Sequence, residues 1–227
     1  MQQNDKYAFF DFCETLADFQ TADAYVDFVR QQRGSCRMRL LNLLLRAMNK
    51  TRISKVLTIL TRHRYSIGKS MKLWQLHGID HATLDSLAGR YYRERVRPHL
   101  IPRIVGELRT LKNDGYTVGL VSGGYGIYLK YFVEEYGLDF CLSSNIAFSG
   151  GRCLGKMEGA DCMGQDKVRL LNEMFPVLPS NSVAFSDSRS DLPLLCWAGR
   201  GVVVSHGSHQ RWLDEIGETK LQEIIWE

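Results

Sequence analysis

Nowhere in the 227 residues do about 18 apolar residues run together, so no segment is expected to cross a bilayer. The first residues, "MQQNDKY", are polar and lack the apolar centre of a secretory leader. Six cysteines stand at 13, 36, 141, 153, 162 and 196, but no two form a C-x-x-C pair. No histidine lies at zinc-finger spacing from a cysteine pair either. That disfavours a structural zinc site and fits free thiols in a reducing cytosol, so a cytoplasmic protein is expected. Acid is missing from one long stretch. Between Asp27 and Asp80 there is no Asp or Glu, yet twelve Lys and Arg occur there. The rest of the chain then holds 17 basic against 25 acidic residues, so a net charge of +4 hides a basic segment inside an acidic protein. No internal repeat, low-complexity tract or base-reading motif is present, and nucleic acid is not an expected partner.

What is present reads as alternating strands and helices. Residues 7–12, "YAFFDF", look like a buried strand. Residues 22–95 look helical, with apolar positions at helical spacing in "MRLLNLLLRAM" and "ISKVLTIL" and with Gly34, Gly68 and Gly78 as expected joints. Pro98 marks a boundary. After it come a helix stopping at Gly115, a strand in "YTVGLVSGGYG", a helix ending near Gly137, a hairpin around "SGG", the helix "GQDKVRLLNEMF", and strands in "SVAFSDS" and "GVVVS". This alternation predicts an α/β fold: a Rossmann-like parallel sheet between helices, with an all-helical cap inserted after the first strand. The core is expected over 1–17 and 97–227, and the cap over 18–96.

Ligands in such sheets bind beyond the carboxyl ends of the strands. Asp11, Ser122 and Asp187 each follow a predicted strand. Asp11 alone could cap a turn. Asp187 and Asp191, four residues apart, can face one side; Asp191 could equally cap a helix that has Pro193 in its first turn. Three carboxylates at strand ends repel one another without a cation, and hard oxygen ligands suit Mg²⁺. Ser122 with the amides of Gly123 and Gly124 could cradle an anion at a helix start. Lys167 reads as a phosphate partner or as a solvated helix residue, and Lys156 on the hairpin competes with it.

Taken together, "DFCETL", "VSGGY", Lys167 and "SDSRSD" resemble, in order, the four motifs of the haloacid dehalogenase superfamily, in its phosphoserine phosphatase branch. The resemblance covers nearly the whole chain, although the cap matches in type only. It implies a phosphatase or phosphotransferase in which Asp11 forms an aspartyl-phosphate. It implies Mg²⁺ held by Asp11, Asp187 and the main-chain carbonyl of Cys13, with Asp191 acting from behind. Thr15, Ser122, Gly123 and Lys167 would bind and orient the phosphate.

Two positions depart from the family. Cys13 stands where a second aspartate would protonate the leaving group. A thiol with a pKa near about 8.5 carries a proton at neutral pH but is a weak donor. General acid–base catalysis is worth about 10²–10⁴-fold, so a slowed hydrolase is expected; the alternative is a non-catalytic phosphate-binding or regulatory protein. Glu14 is not expected to substitute, because neighbours in an extended segment point apart. Gln20 stands where the family has a glutamate that pairs with the substrate's amino group, which disfavours phosphoserine itself. The basic cap favours an anionic small metabolite, and the leucine-rich basic stretch 37–60 could lie on anionic lipid, which would suit a phospholipid headgroup.

Overall fold

The computed structural model describes residues 6–33, 67–175, 181–216 and 221–227. Chain order is β1 (Lys6–Phe10), α1 (Thr21–Arg33), α2 (Ile67–Trp74), α3 (His81–Tyr91), α4 (Pro102–Asn113), β2 (Thr117–Tyr125), α5 (Gly126–Tyr136), β3 (Phe140–Ser149), β4 (Arg152–Glu158), α6 (Gln165–Met174), β5 (Asn181–Ser186), α7 (Leu192–Trp197), β6 (Arg200–His206) and β7 (Leu221–Trp226). The strands form one sheet in the order β4-β3-β2-β1-β5-β6-β7. Every neighbouring pair is parallel except β3 and β4, the hairpin anticipated around "SGG".

β1 shows why the sheet is a middle layer. Successive side chains of a strand leave opposite faces. Phe10 stacks on Phe185 at 4.3 Å on one face. Phe9 meets Trp197 and Phe175 edge-on, at 5.3 and 5.8 Å, on the other. Both faces are therefore apolar and covered, as a parallel sheet requires. The helices end where the sequence says they must: Gly137 closes α5 in a left-handed conformation (φ 58°) that a Cβ would disfavour.

The register delivers the site. Phe10 pairs with Leu120 on β2 and with Phe185 on β5. β1 is thus the point where the chain changes direction across the sheet, and a crevice opens beyond its carboxyl end. The Asp11 amide donates to the Phe185 carbonyl at 2.9 Å, which ties the first residue after β1 to the end of β5.

Helices α2 and α3 fall within the stretch read as helical, and α1 begins one residue before it. Gly78 is a joint, with φ +79°, but Gly68 lies inside α2 because a helix tolerates an isolated glycine. Gly34 and the leucine-rich basic stretch 37–60 lie outside the described residues. The C-terminal strand β7 was not anticipated: "LQEIIW" is short, mixes polar with apolar residues, and acquires its conformation by pairing with β6. Among the described residues no helix is long and apolar enough to cross a membrane.

Candidate active site

Asp11, Cys13, Glu14, Gln20, Ser122, Gly123, Lys167, Asp187 and Asp191 all line one cavity of about 540 Å³ at the carboxyl end of the sheet. They come from five separate segments, so the topology, not sequence proximity, gathers them. Lys156 is exposed on β4 and does not line the cavity.

Lys167 is the hub of the floor. Its side chain is 2% exposed, and its ammonium lies 2.9 Å from Asp11 Oδ1 and 2.5 Å from Asp191 Oδ2. It is not the solvated helix residue its neighbours suggest. Burial alone would lower its pKa, but the two carboxylates outweigh burial and hold the ammonium protonated. Ser186 Oγ donates to the same Asp191 oxygen at 2.7 Å. Asp191 does occupy the residue before α7, with Pro193 in the first turn, but its side chain makes no cap. The carboxylate turns inward to Lys167 and Ser186 instead.

Asp11 and Asp187 are perturbed in the opposite direction to an ordinary ion-paired carboxylate. Burial raises the Asp11 pKa despite Lys167. Burial and the nearby charge of Asp11 push Asp187 up to about 7. Thr15 is drawn in here. Its hydroxyl accepts from the Asp187 amide and donates to Asp187 Oδ1, both at 3.0 Å. Thr15 therefore positions Asp187 and does not itself line the cavity, in contrast to the phosphate-binding role expected for it.

The Cys13–Glu14 segment is not extended. Leu16 and Ala17 donate back to the Phe12 carbonyl at 2.9 and 3.0 Å, and Glu14 adopts φ +57°. This tight turn brings both Cys13 and Glu14 onto the cavity wall, so the premise that they point apart does not hold. The Glu14 carboxylate accepts from the Gln20 side-chain amide. The amide at position 20 therefore stands beside a negative charge. Cys13 Sγ lies 3.0 Å from Thr21 Oγ1, which lies 2.7 Å from the Tyr128 hydroxyl. Burial, aided by Asp11, pushes the thiol up to about 11, so it remains protonated at neutral pH.

Among the lining residues that the sequence does not single out are members of two charged pairs and a methionine. Asp23 and Lys72 form an ion pair at the rim, and Lys69 and Met163 stand on the walls. Asp23 lies one helical turn past Gln20, a spacing that could have flagged it. Lys69 and Lys72 are also a turn apart, on α2, within the acid-free stretch. Their counter-charges, Asp161 and Asp23, are distant in sequence, which hid them.

Among the described residues, no three His, Cys, Asp or Glu side chains are grouped tightly enough to hold a metal ion. Asp191 is committed to Lys167 and Ser186, which suits a supporting position better than direct ligation. Asp11 and Asp187 do fit a hard cation: Asp11 is buried and Asp187 half-buried, burial raises the pKa of both, and the charge of Asp11 raises that of Asp187 further.

The model of the haloacid dehalogenase-like hydrolases matches residues 8–195. The chain belongs to this family. Similar sequences include proteins named phosphoserine phosphatase from Streptomyces coelicolor (34% identical over 130 residues, 56% of this chain and 30% of that protein), Archaeoglobus fulgidus (32% over 98 residues, 42% and 28%) and Polaromonas sp. (30% over 134 residues, 56% and 54%). The matches thus span from about a quarter to about half of those relatives' length. A protein of unknown function from Bordetella pertussis Tohama I superposes with a TM-score of 0.75 at 21% identity, covering 97% of this chain and 98% of that one. A phosphoserine phosphatase described as a phospho-aspartyl intermediate analogue superposes with a TM-score of 0.60 at 18% identity, covering 97% and 93%. At such identities the likeness establishes a shared α/β fold.

Proposed function

We propose that this protein is a Mg²⁺-dependent phosphomonoesterase, or a phosphotransferase using the same covalent intermediate, acting on a small phosphorylated substrate. The observation that carries this reading is Lys167, buried and ion-paired with Asp11 and Asp191 at the floor of a cavity that also presents Ser122 and Asp187. A fully buried lysine that fixes one carboxylate beside an anion cradle suits phosphoryl transfer, where positioning and charge neutralisation supply most of the catalysis.

Asp11, Asp187 and the Cys13 carbonyl would hold Mg²⁺, which when bound supplies positive charge to the phosphoryl oxygens and relieves carboxylate repulsion. The Asp11 carboxylate attacks phosphorus, the ester P–O bond breaks, and the leaving oxygen takes up a proton. Water then attacks phosphorus and releases Asp11. Ser122, the Gly123 amide and Lys167 hold the phosphoryl oxygens. Asp191 orients Lys167, and Thr15 orients Asp187. Cys13 has a proton to give, but its sulfur is engaged with Thr21, so protonation of a poor leaving group is the slow part.

Helices α1–α3 form the described part of the cap we assign to 18–96. Backbone bonds Gly78 N to Cys153 O and Cys153 N to Ile79 O, both 2.8 Å, attach it to β4. Lys69 and Lys72 from α2 form one wall of the cavity. We read the protein as cytoplasmic, which the unbridged thiols of Cys13, Cys141, Cys153 and Cys162 support. Glu14 restores a negative charge beside Gln20, so phosphoserine and other amine-bearing phosphoesters belong in the first substrate panel, next to phospholipid headgroups.

A second reading, a phosphate binder without turnover, rests on the engagement of Cys13 with Thr21. A screen of phosphorylated metabolites with Mg²⁺, run on wild type and Cys13→Asp, separates the two. Turnover by wild type supports the phosphatase. Silence of wild type with activity in Cys13→Asp supports the binder.

A further inference from the structure

The two glycines after Ser122 are the softest point of the anion cradle. Neither has a Cβ to restrict its dihedrals, so the peptide joining them can rotate at little cost. They also sit where the β2–β3 register slips, between Ser122 and Tyr125, and no regular ladder holds them. The structure pins this peptide at both ends. Its N–H, on Gly124, donates to Ser122 Oγ at 3.2 Å. Its carbonyl, on Gly123, accepts from Lys69 Nζ at 2.8 Å.

Lys69 reaches this carbonyl from α2, more than fifty residues earlier in the chain. Its side chain is 10% exposed and its ammonium is fully engaged. It lies 2.5 Å from Asp161 Oδ1, 3.3 Å from Ser144 Oγ, and 5.4 Å from the centre of the Tyr125 ring. Asp161 is itself 5% exposed and is held by Ser144 Oγ at 2.6 Å, and Ser144 Oγ accepts from the Cys162 amide at 3.1 Å. The lysine is therefore rigid, and it contacts the cradle through the one group that decides which way the glycine peptide faces.

We propose that Lys69 is a positioning residue for phosphate binding, which holds the Gly123–Gly124 peptide so that Ser122 receives the Gly124 N–H and keeps its own proton for a phosphoryl oxygen. A hydroxyl has one proton to give. When its lone pair accepts from Gly124, that proton is aimed elsewhere, and the cavity is where Ser122 lies. The inference deepens the phosphate-site reading of Ser122 and rests on it. It also makes the seating of α2 against the cavity a condition for a well-formed cradle.

The test is calorimetric titration of inorganic phosphate, with Mg²⁺ present, into wild type, Lys69→Met, Asp161→Asn and the double variant, with KM for p-nitrophenyl phosphate measured alongside. Lys69→Met leaves Asp161 buried and unpaired and can destabilise the fold. The double variant removes both charges and keeps the test valid. Both variants that lack Lys69 should bind phosphate about tenfold more weakly, with KM raised to match, as for loss of one charge-assisted positioning bond. Asp161→Asn keeps the Gly123 contact and should lose less than about threefold. Equal affinities throughout, or an equal loss in Asp161→Asn and in the Lys69 variants, would overturn the positioning role. If wild type neither binds phosphate nor turns over any phosphoester, the phosphatase reading itself fails.

Discussion

The floor of the cavity and its rim are built on different terms. On the floor, Lys167, Asp11, Asp191 and Ser186 are buried and bonded to one another from α6, β1, β5 and the turn before α7. At the rim, Glu14 with Gln20 and Asp23 with Lys72 form pairs open to water. Buried charges that lose a partner are costly, whereas exposed pairs are worth little. The floor can therefore hold one geometry for one kind of chemistry. The rim can vary without endangering the fold, and that is where choice among substrates belongs.

The contrast predicts a graded series of effects. Asp11→Asn should have the largest: the amide keeps the shape but is no nucleophile, and kcat should fall on the order of 10⁴-fold or more while the thermal melt is preserved. Residual turnover in a clean preparation would remove Asp11 from this role. Lys167→Met should be the most damaging to stability, by ~3–5 kcal/mol in denaturant titrations, because it strands two buried carboxylates. A loss under about 1 kcal/mol, the value of a surface pair, would put the floor and the rim on the same footing.

Cys13 lies between the two regions and should show an intermediate effect. Cys13→Asp should raise kcat/KM for alkyl phosphates by about 10²-fold and move aryl phosphates far less, because aryl leaving groups need no proton. Equal acceleration of both classes would shift the proton-transfer role elsewhere, with Glu14 the nearest carboxylate. The smallest effect belongs to the rim. Glu14→Gln should raise KM about two- to fivefold for substrates with a cationic leaving group and leave aryl phosphates unchanged. A loss of tenfold or more for every substrate would make Glu14 part of the machinery.

The same division explains what could be read from the sequence. Asp11, Lys167 and Asp191 were legible as candidates because each stands near a strand end or helix start within a recognisable short pattern, whereas Ser186 was not singled out. Thr15 was found but its partner was not: its bond to Asp187 joins residues 172 apart. Counter-charges in the acid-free stretch are hidden for a similar reason. Lys69, Lys72 and Arg30 do have counter-charges, namely Asp161, Asp23 and Asp27, and two of these come from other elements of the fold. Glu14 was misplaced because a non-glycine residue at φ +57° leaves no mark in composition or periodicity. β7 depends on pairing with β6, and its own residues show neither a continuous apolar run nor strict alternation.

Whether Asp11 takes up the phosphoryl group can be read directly by trapping. Borohydride reduces an acyl phosphate to an alcohol, so protein quenched during turnover should carry homoserine at position 11, identified by mass spectrometry of the peptide containing it. That change is expected in wild type supplied with a phosphoester and Mg²⁺, and none in Asp11→Asn. Steady turnover with residue 11 unmodified, or the label on another carboxylate, would contradict that role for Asp11.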